Sequence, residues 1–215
     1  MIRALRVLRR LTQFEAAGLV SLVLWAVRRR HGVPRGTTAV PYSGAQTSIM
    51  MFFVVASVIE LIAFEVLLRA LDAPDAVRMP ILFLDAYGVV IMLGVVAAFS
   101  TRPHVVSASE VRIRSGAYVD LRVPRDRIAA VRRVRNYSEP GKVAVDGDTF
   151  IVAVMHQTNL VLELTEPVTA VRPLGSTVEA RTVRFFADDP DAALAALHGH
   201  GVGVPEAATT TRGAA

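Results

Sequence analysis

Two long apolar runs, residues 49–71 and 80–100, constrain this sequence more than any other feature. Only three charged side chains interrupt the first run and only one interrupts the second. At a helical rise of 1.5 Å per residue, each run spans about 30 Å or more, which matches the hydrocarbon core of a bilayer. The short polar connection between the runs predicts that residues 48–101 form an antiparallel transmembrane hairpin.

The segment before the hairpin, residues 1–47, has a mixed pattern that ends in an Arg-rich loop. Four arginines within the first ten residues interrupt its apolar positions, and an arginine triplet follows residue 27. A helix with this pattern has an apolar stripe and a basic face, which is typical of helices in the headgroup region. Two interpretations stay open for residues 11–27: an interfacial or re-entrant helix, or a third crossing.

The positions of the arginines predict the orientation of the hairpin. Four arginines lie between residues 28 and 35 and another is Arg102, whereas the loop between the two runs has only Arg78. Positive charge in short loops favours the cytoplasmic side. We therefore expect a multi-pass protein of the cell membrane, with both ends of the hairpin and the following domain in the cytoplasm. A third crossing would move only the N-terminus.

Three carboxylates inside the apolar runs need a physical explanation: Glu60, Glu65 and Asp85. An ionised carboxylate at the centre of a bilayer costs on the order of 2.5 to 3.5 kcal/mol on insertion scales. Glu65 and Asp85 lie at similar distances from the outer ends of their runs, so we expect that they can meet across the hairpin. One interpretation is a proton or cation site with Tyr87 as a hydrogen-bond partner. The other is a structural role in holding a small bundle together.

The second half of the chain, residues 102–198, changes from helical to alternating hydrophobicity. About seven short runs rich in β-branched residues are separated by turns that contain Gly and Pro. Asp188-Asp189-Pro190 then resembles the start of a short helix, with a capping carboxylate and Pro in the first turn. The fold class is therefore predicted as an α+β membrane protein with an antiparallel sandwich or barrel and one C-terminal helix. Residues 199–215, small and Thr-rich, are expected to be a disordered tail.

Five short motifs follow one another through this half of the chain: Arg102-Pro103-His104, Val111–Gly116, Val123-Pro124 with Ile128, Asn159–Val168 and Phe186–Leu197. Their order resembles the bacterial pleckstrin-homology-like (PH-like) domain, in the version attached to membrane hairpins in high-GC Gram-positive bacteria. The resemblance implies a PH-like β-sandwich for residues 102–198. Two departures concern tryptophan: the C-terminal helix lacks the one common in eukaryotic relatives, and Arg125 stands where relatives often have one. We therefore do not infer phosphoinositide binding from the resemblance.

Basic side chains on neighbouring predicted strands favour a contact with anionic lipids of the inner leaflet. Five of them are expected on one exposed face: Arg112, Arg114, Arg132, Arg133 and Arg135. Each basic group close to such a surface contributes about 1 kcal/mol. The alternative is a solvated sheet face whose arginines pair with nearby acids. Nucleic-acid binding is not favoured, because few aromatic residues interleave with these arginines.

No catalytic motif stands out in the sequence. It lacks a Walker-type phosphate loop and the GxSxG and HExxH patterns, and the absence of cysteine excludes thiol catalysis and cysteine-type zinc sites. We expect no cofactor and no metal site. The sequence thus favours a non-enzymatic scaffold or adaptor that binds membrane lipids and an unidentified protein partner. The alternative is a small transporter subunit or proton-responsive sensor, which requires a homo-oligomer because two or three helices cannot enclose a pathway.

Overall fold

A computed structural model describes residues 2–199 of the 215-residue chain, with side chains described from residue 7 onward. Within that range, helices and strands follow one another in the order α1 (Ile2–Ala26), β1 (Thr38–Val40), α2 (Gly44–Ala70), α3 (Asp75–Thr101), β2 (His104–Val106), β3 (Glu110–Ser115), β4 (Val119–Pro124), β5 (Ile128–Asn136), β6 (Val143–Asp146), β7 (Thr149–Val152), β8 (Thr158–Val171), β9 (Thr177–Phe185) and α4 (Pro190–Gly199). Apart from Gly199, the predicted tail lies outside the described residues.

Helices α2 and α3 form an antiparallel pair joined by the four residues 71–74. Each has 27 residues, and each is long and apolar enough to cross a membrane. Both helices extend beyond the predicted runs because their polar end turns remain helical. Pro80 consequently lies inside α3 rather than at its start. Most of the apolar side chains on α2 are exposed, so protein packing does not account for its composition.

Helix α1 is one continuous helix that packs on α3 through two glycines. A Cβ atom on Gly94 would lie 3.3 Å from the carbonyl carbon of Gly18, so the two helix backbones approach closely. At the end of α3, the Nε group of Arg102 donates a hydrogen bond to the hydroxyl of Ser21, at 3.1 Å. Within the described residues, α1 does not meet the length and hydropathy criterion that α2 and α3 meet.

The nine strands form two sheets. The first has the order β1-β2-β3-β4 and the second has the order β5-β8-β9-β7-β6. All neighbours are antiparallel, as predicted, except β7 and β9, which run parallel. In the sheet order, β9 lies between β8 and β7, antiparallel to β8 and parallel to β7. The prediction of mixed helices and antiparallel sheets with a C-terminal helix is confirmed at this level.

Strand β1 comes from the connection between α1 and α2, which the sequence-based boundaries assigned to the N-terminal segment. Its three residues pair with β2, with Thr38 opposite Val106 and Val40 opposite His104. Only two residues separate the end of α3 from the start of β2, so the first sheet is attached to the helices on both sides of the hairpin. The sheet domain therefore includes residues 38–40 in addition to residues 102–198.

The core lies where the two sheets face each other. Fully buried side chains from both sheets meet there, including Ile113, Phe150, Leu160, Leu162 and Val183. Helix α4 closes the core with Ala193 and Leu197, which are 1% exposed. Burying an aliphatic or aromatic side chain of this size contributes roughly 1.5 to 3 kcal/mol, so this cluster dominates the stability of the sheet domain.

Candidate functional site

The helices and the sheet domain meet at a buried polar junction centred on His104. This residue begins β2 and is 2% exposed. Its Nδ1 atom accepts a hydrogen bond from the backbone N–H of Arg114 at 2.9 Å, so the proton is on Nε2, which donates to the carbonyl oxygen of Phe186 at 2.9 Å. Burial, together with the nearby Arg114 charge, lowers the pKa of His104 to about 4. His104 is therefore neutral, and its two ring nitrogens connect β3 to the residue that follows β9.

Tyr42 covers this imidazole from the connection between β1 and α2. The two rings stack with centroids 4.3 Å apart and an interplanar angle of 23°. The Tyr42 hydroxyl accepts a hydrogen bond from the backbone N–H of Gly116 at 2.7 Å. Burial raises the pKa of the Tyr42 hydroxyl. Gly116 has φ +52°, and a Cβ there would lie 3.4 Å from the Phe99 ring, so the turn requires glycine.

Arg114, predicted to face lipid, is buried beside the Arg-rich loop. Its guanidinium donates to the carbonyl oxygens of His31 at 2.8 Å and Gly32 at 3.3 Å, and it lies 3.4 Å from a carboxylate oxygen of Asp120. Arg112 forms a two-pronged ion pair with the same carboxylate. Burial opposes ionisation of Asp120, but the two guanidinium groups outweigh it and lower its pKa. Arg114 thus fixes the loop to β3, and Arg112 pairs with a carboxylate of β4, so neither matches the predicted lipid-facing role.

The other three predicted arginines lie on β5, in the second sheet. Arg132 pairs with Glu163. Arg133, the next residue along the strand, points to the opposite side and forms an ion pair with Asp191 of α4 at 2.5 Å. Arg135 is exposed. The prediction that all five arginines share one exposed face is therefore wrong, because neighbouring residues on a strand alternate between faces and the two groups belong to different sheets.

Asp188 connects the end of the sheet domain to the start of α2. Both of its carboxylate oxygens accept from the backbone N–H of Gly44, at 3.1 and 3.0 Å, and its own N–H donates to the carbonyl oxygen of Pro41 at 2.9 Å. A carboxylate at this position stabilises the positive end of the helix dipole. Asp189, rather than Asp188, caps α4 by accepting from the N–H of Ala192 at 2.9 Å.

An aromatic cluster surrounds Phe99 at the end of α3. Tyr118, from the turn between β3 and β4, lies with its ring centroid 6.3 Å from that of Phe99 and 4.9 Å from that of Phe14 in α1. The ammonium group of Lys142 lies 4.3 Å from the centroid of the Phe99 ring, a cation–π geometry. Burial lowers the pKa of this lysine. The sheet domain, α1 and α3 therefore pack together around Phe99.

Among the three intramembrane acids of the prediction, Glu65 is held by two arginines near the hairpin turn. Its Oε1 atom lies 2.7 Å from Nε of Arg69 and 3.1 Å from Nε of Arg78, and Arg78 also pairs with Asp75 at 3.0 Å. Glu65 and Asp85 both line a small cavity between α2 and α3, and the ion-pair partners of Glu65 are the two arginines. Glu65 therefore links α2 to α3, in line with the structural interpretation of this residue.

Glu60 and Asp85 instead line one groove between α2 and α3. Each lies ten residues from the hairpin end of its helix, about 15 Å along the axis, so the two are at equal depth. The groove has a volume of about 390 Å³ and is also lined by Ser57 and Gly88. Tyr87, the expected partner, lines a different cavity, on the side of α3 that faces α1.

Two residues of the junction, Tyr42 and Lys142, were not singled out in the sequence prediction. Tyr42 and Lys142 stand in polar loops with no periodicity to single them out, and their contacts depend on long-range pairing. Within residues 2–199, no group of three or more His, Asp and Glu side chains is placed to hold a metal ion. The hydrogen bonds of His104, Tyr42 and Arg114 connect segments of the fold to one another.

Comparisons with protein-family models, curated proteins and solved structures found no match for this chain.

Proposed function

We propose that this is a non-enzymatic integral membrane protein in which α2 and α3 cross the bilayer and hold the sheet domain against its cytoplasmic surface. The observation that carries the proposal is the pair of 27-residue apolar helices with mostly exposed side chains, attached rigidly to a folded domain. Exposed apolar surface of this extent is unfavourable in water and favourable in lipid. Each helix is about 40 Å long, enough for the hydrocarbon core and part of the headgroup region.

The distribution of arginine supports a cytoplasmic location for the sheet domain. Its side of the helix pair carries five arginines in or next to short connections: Arg28, Arg29, Arg30, Arg35 and Arg102. At the opposite end, Arg69 and Arg78 are paired with carboxylates. Excess positive charge in short loops is retained on the cytoplasmic side.

We further propose that the sheet domain is PH-like and acts as a scaffold or adaptor that recruits a protein partner. Two facing sheets with a helix at the C-terminal end support the fold assignment. The junction supports the adaptor role, because its buried hydrogen bonds and ion pairs hold the domain in one orientation relative to α2 and α3. A fixed orientation presents the same outer surface to the cytoplasm at all times.

A topology experiment tests this proposal. A reporter that is active only in the cytoplasm is fused after Ala215, and a matched reporter is inserted in the turn between Asp72 and Pro74. We expect activity from the first fusion and none from the second. An active reporter in the turn together with an inactive one at the C-terminus would overturn the orientation and the adaptor role. Crosslinking of the full chain in detergent, followed by affinity purification, then identifies the partner.

A second candidate function is a proton-responsive or transport role for the groove between α2 and α3. The specific observation is that Glu60 and Asp85 lie at equal depth in one groove, since carboxylates at mid-membrane are costly and often functional. The double substitution Glu60→Gln and Asp85→Asn should abolish a pH-dependent flux or phenotype while membrane insertion persists. The matched control is Glu65→Gln, because Glu65 is bound by Arg69 and Arg78. An unchanged phenotype in a correctly inserted double variant would eliminate this candidate.

A further inference from the structure

One edge of the sheet domain carries exposed apolar side chains close to the apolar helices. Val154 is buried against Tyr42 and Phe99, in a cluster that also includes Met50 of α2 and Val95 of α3. Met50 and Val95 lie inside the two long apolar helices, one to two turns from the ends nearest the sheet domain. The turn that begins at Val154 therefore lies beside the end of the hairpin that faces the sheet domain.

Beyond Val154, the chain makes a two-residue turn with an unusual backbone. Val154 and Gln157 exchange backbone hydrogen bonds at 3.0 and 2.9 Å. The two residues between them, Met155 and His156, have φ +50° and +61°. Glycine and asparagine are the usual residues at both positions of such a turn, because other side chains are sterically disfavoured there. The turn places Met155 at its tip, with 45% of its surface exposed.

Tyr137 lies beside this tip and is also exposed. The backbone N–H of Glu139 donates to the carbonyl oxygen of His156 at 3.0 Å, and His156 Nδ1 lies 2.8 Å from the carbonyl oxygen of Glu139, so residues 136–139 lie against the turn. Tyr137 is 62% exposed and Val134, before it, is 47% exposed. We call Tyr137 and Met155 together the Met155 edge.

Two basic side chains lie near the Met155 edge. Arg135 is exposed between Val134 and Tyr137, and Lys142 lies on the Phe99 ring at the end of α3. The combination of an exposed tyrosine, an exposed methionine and basic side chains matches the interface of an anionic bilayer, where aromatic rings lie at headgroup level and cations meet lipid phosphates. Val154 makes the edge continuous with the helices proposed to cross that bilayer.

We propose that the Met155 edge inserts into the headgroup layer of the cytoplasmic leaflet and forms a second membrane contact of the sheet domain, beside the helices. This inference rests on the proposed function, since it requires α2 and α3 to cross the membrane. The edge contacts the lipid surface itself, and anionic phosphates lie near Arg135 and Lys142. The contact keeps the sheet domain from rotating away from the bilayer.

Tryptophan fluorescence with quencher lipids tests the proposal in the full chain. Trp25 is the only tryptophan, so Trp25→Phe provides a silent background. Single probes are then introduced by Met155→Trp, Leu174→Trp or Ile62→Trp, and each variant is reconstituted in phosphatidylcholine–phosphatidylglycerol vesicles with a nitroxide near the headgroup or deep in the acyl chain. Leu174 is the matched control, since it is 59% exposed in the turn at the opposite end of β8. Ile62, exposed on α2, reports whether the helix is in the bilayer.

We expect the Met155→Trp probe to be quenched several-fold more strongly by the shallow nitroxide than the Leu174→Trp probe, with Ile62→Trp quenched by the deep one. Equal weak quenching of the Met155 and Leu174 probes, with Ile62 quenched, would overturn this inference and leave the proposed function intact. An unquenched Ile62 probe would overturn both. Tyr137→Trp is a second probe of the same edge, so the test does not depend on the folding of one variant.

Discussion

The hydroxyl group of Tyr42 forms a hydrogen bond between the connection that precedes α2 and the turn between β3 and β4. The Tyr42 hydroxyl oxygen accepts a hydrogen bond from the backbone N–H of Gly116. This N–H group is buried and has no other hydrogen-bond acceptor among the described residues. Tyr42→Phe keeps the ring stacked on His104 but leaves this N–H unpaired. We expect the free energy of unfolding to fall by about 1 to 3 kcal/mol.

Chemical unfolding of the full chain in detergent measures this change. Tyr137→Phe is the matched control, because the Tyr137 side chain is exposed and its hydroxyl remains hydrated. That variant should unfold as the parent does. If Tyr42→Phe and Tyr137→Phe had equal stability, the hydrogen bond to Gly116 would contribute nothing to the junction.

The imidazole of His104 makes the stability of the protein depend on pH. Burial lowers its pKa to about 4 in the folded state, whereas a solvated histidine has a pKa of about 6.5. Between these values the unfolded chain binds the proton more tightly, so the free energy of unfolding decreases as the pH falls from about 6.5 and levels off below about 4. The full difference is about 3 kcal/mol. His31, whose pKa is also lowered by burial, adds to the decrease in the same direction.

An NMR titration of the full chain with labelled histidine rings measures this pKa directly, and His104→Gln assigns the resonance. We expect the His104 signal to stay at its neutral position at pH 5.5, where exposed histidines are largely protonated. A transition of His104 near pH 6.5 would contradict the buried, neutral state of this residue.

At the scale of elements, the closest helix contact depends on Gly94. A Cβ there would lie 3.3 Å from the backbone of Gly18, whereas a Cβ on Gly88, on the same helix, would meet nothing within 4 Å. Both Gly88→Ala and Gly94→Ala gain helix propensity, by up to about 1 kcal/mol. Only Gly94→Ala crowds α1 against α3, which costs roughly 1 to 3 kcal/mol.

The two variants are compared by thermal unfolding in detergent. We expect Gly88→Ala to unfold at or above the temperature of the parent and Gly94→Ala to unfold below it. A Gly94→Ala variant as stable as Gly88→Ala would show that α1 is free to move away from α3.

Sequence periodicity identified the long elements and missed the short ones. The α2 and α3 helices were predictable because apolar runs of that length have few alternatives, and α4 because of its capping Asp189 and Pro190. Strand β1 has three residues, too few for an alternating pattern. The alternating runs at residues 160–164 and 168–171 are separated in the sequence by Pro167, yet both belong to the single strand β8, since Pro167 falls at an irregularity in the pairing and does not end the strand.

The site was less predictable than the elements for a physical reason. Alternation indicates which side of a strand a residue occupies, but the sheet to which the strand belongs depends on pairing between distant segments. Arg114 and Arg132 are both on predicted strands, yet one is buried beside the loop at Gly32 and the other is exposed in the second sheet. Likewise, α3 begins at Asp75 and not at residue 80, where the apolar run starts. Only with this boundary do Glu60 and Asp85 lie at the same depth.

At the scale of the whole molecule, the sheet domain depends on residues from before the hairpin. A fragment of residues 102–199 lacks β1 and Tyr42, so it exposes the edge of β2 and uncovers His104. We expect this fragment to unfold at a lower temperature than a chain in which residues 28–43 are joined to residues 102–199 by a short Gly/Ser linker. The linker is feasible because Val40 pairs with His104.

Circular dichroism and amide NMR dispersion of the two fragments measure the difference. The linked fragment should show a cooperative transition and dispersed amide signals. The same unfolding temperature for both fragments would mean that β1 is dispensable for the sheet domain.

The position of β1 also determines the order in which this protein can be assembled during biosynthesis. The ribosome makes β1 before α2 and α3, and makes its partner β2 only after both helices. The first sheet consequently stays open until both helices have been made, and it closes when the two ends of the hairpin come together. A completed first sheet therefore requires a hairpin whose ends have met. A chain in which the ends of the hairpin stay apart leaves the β2 edge uncovered, where cellular proteases and chaperones can recognise it.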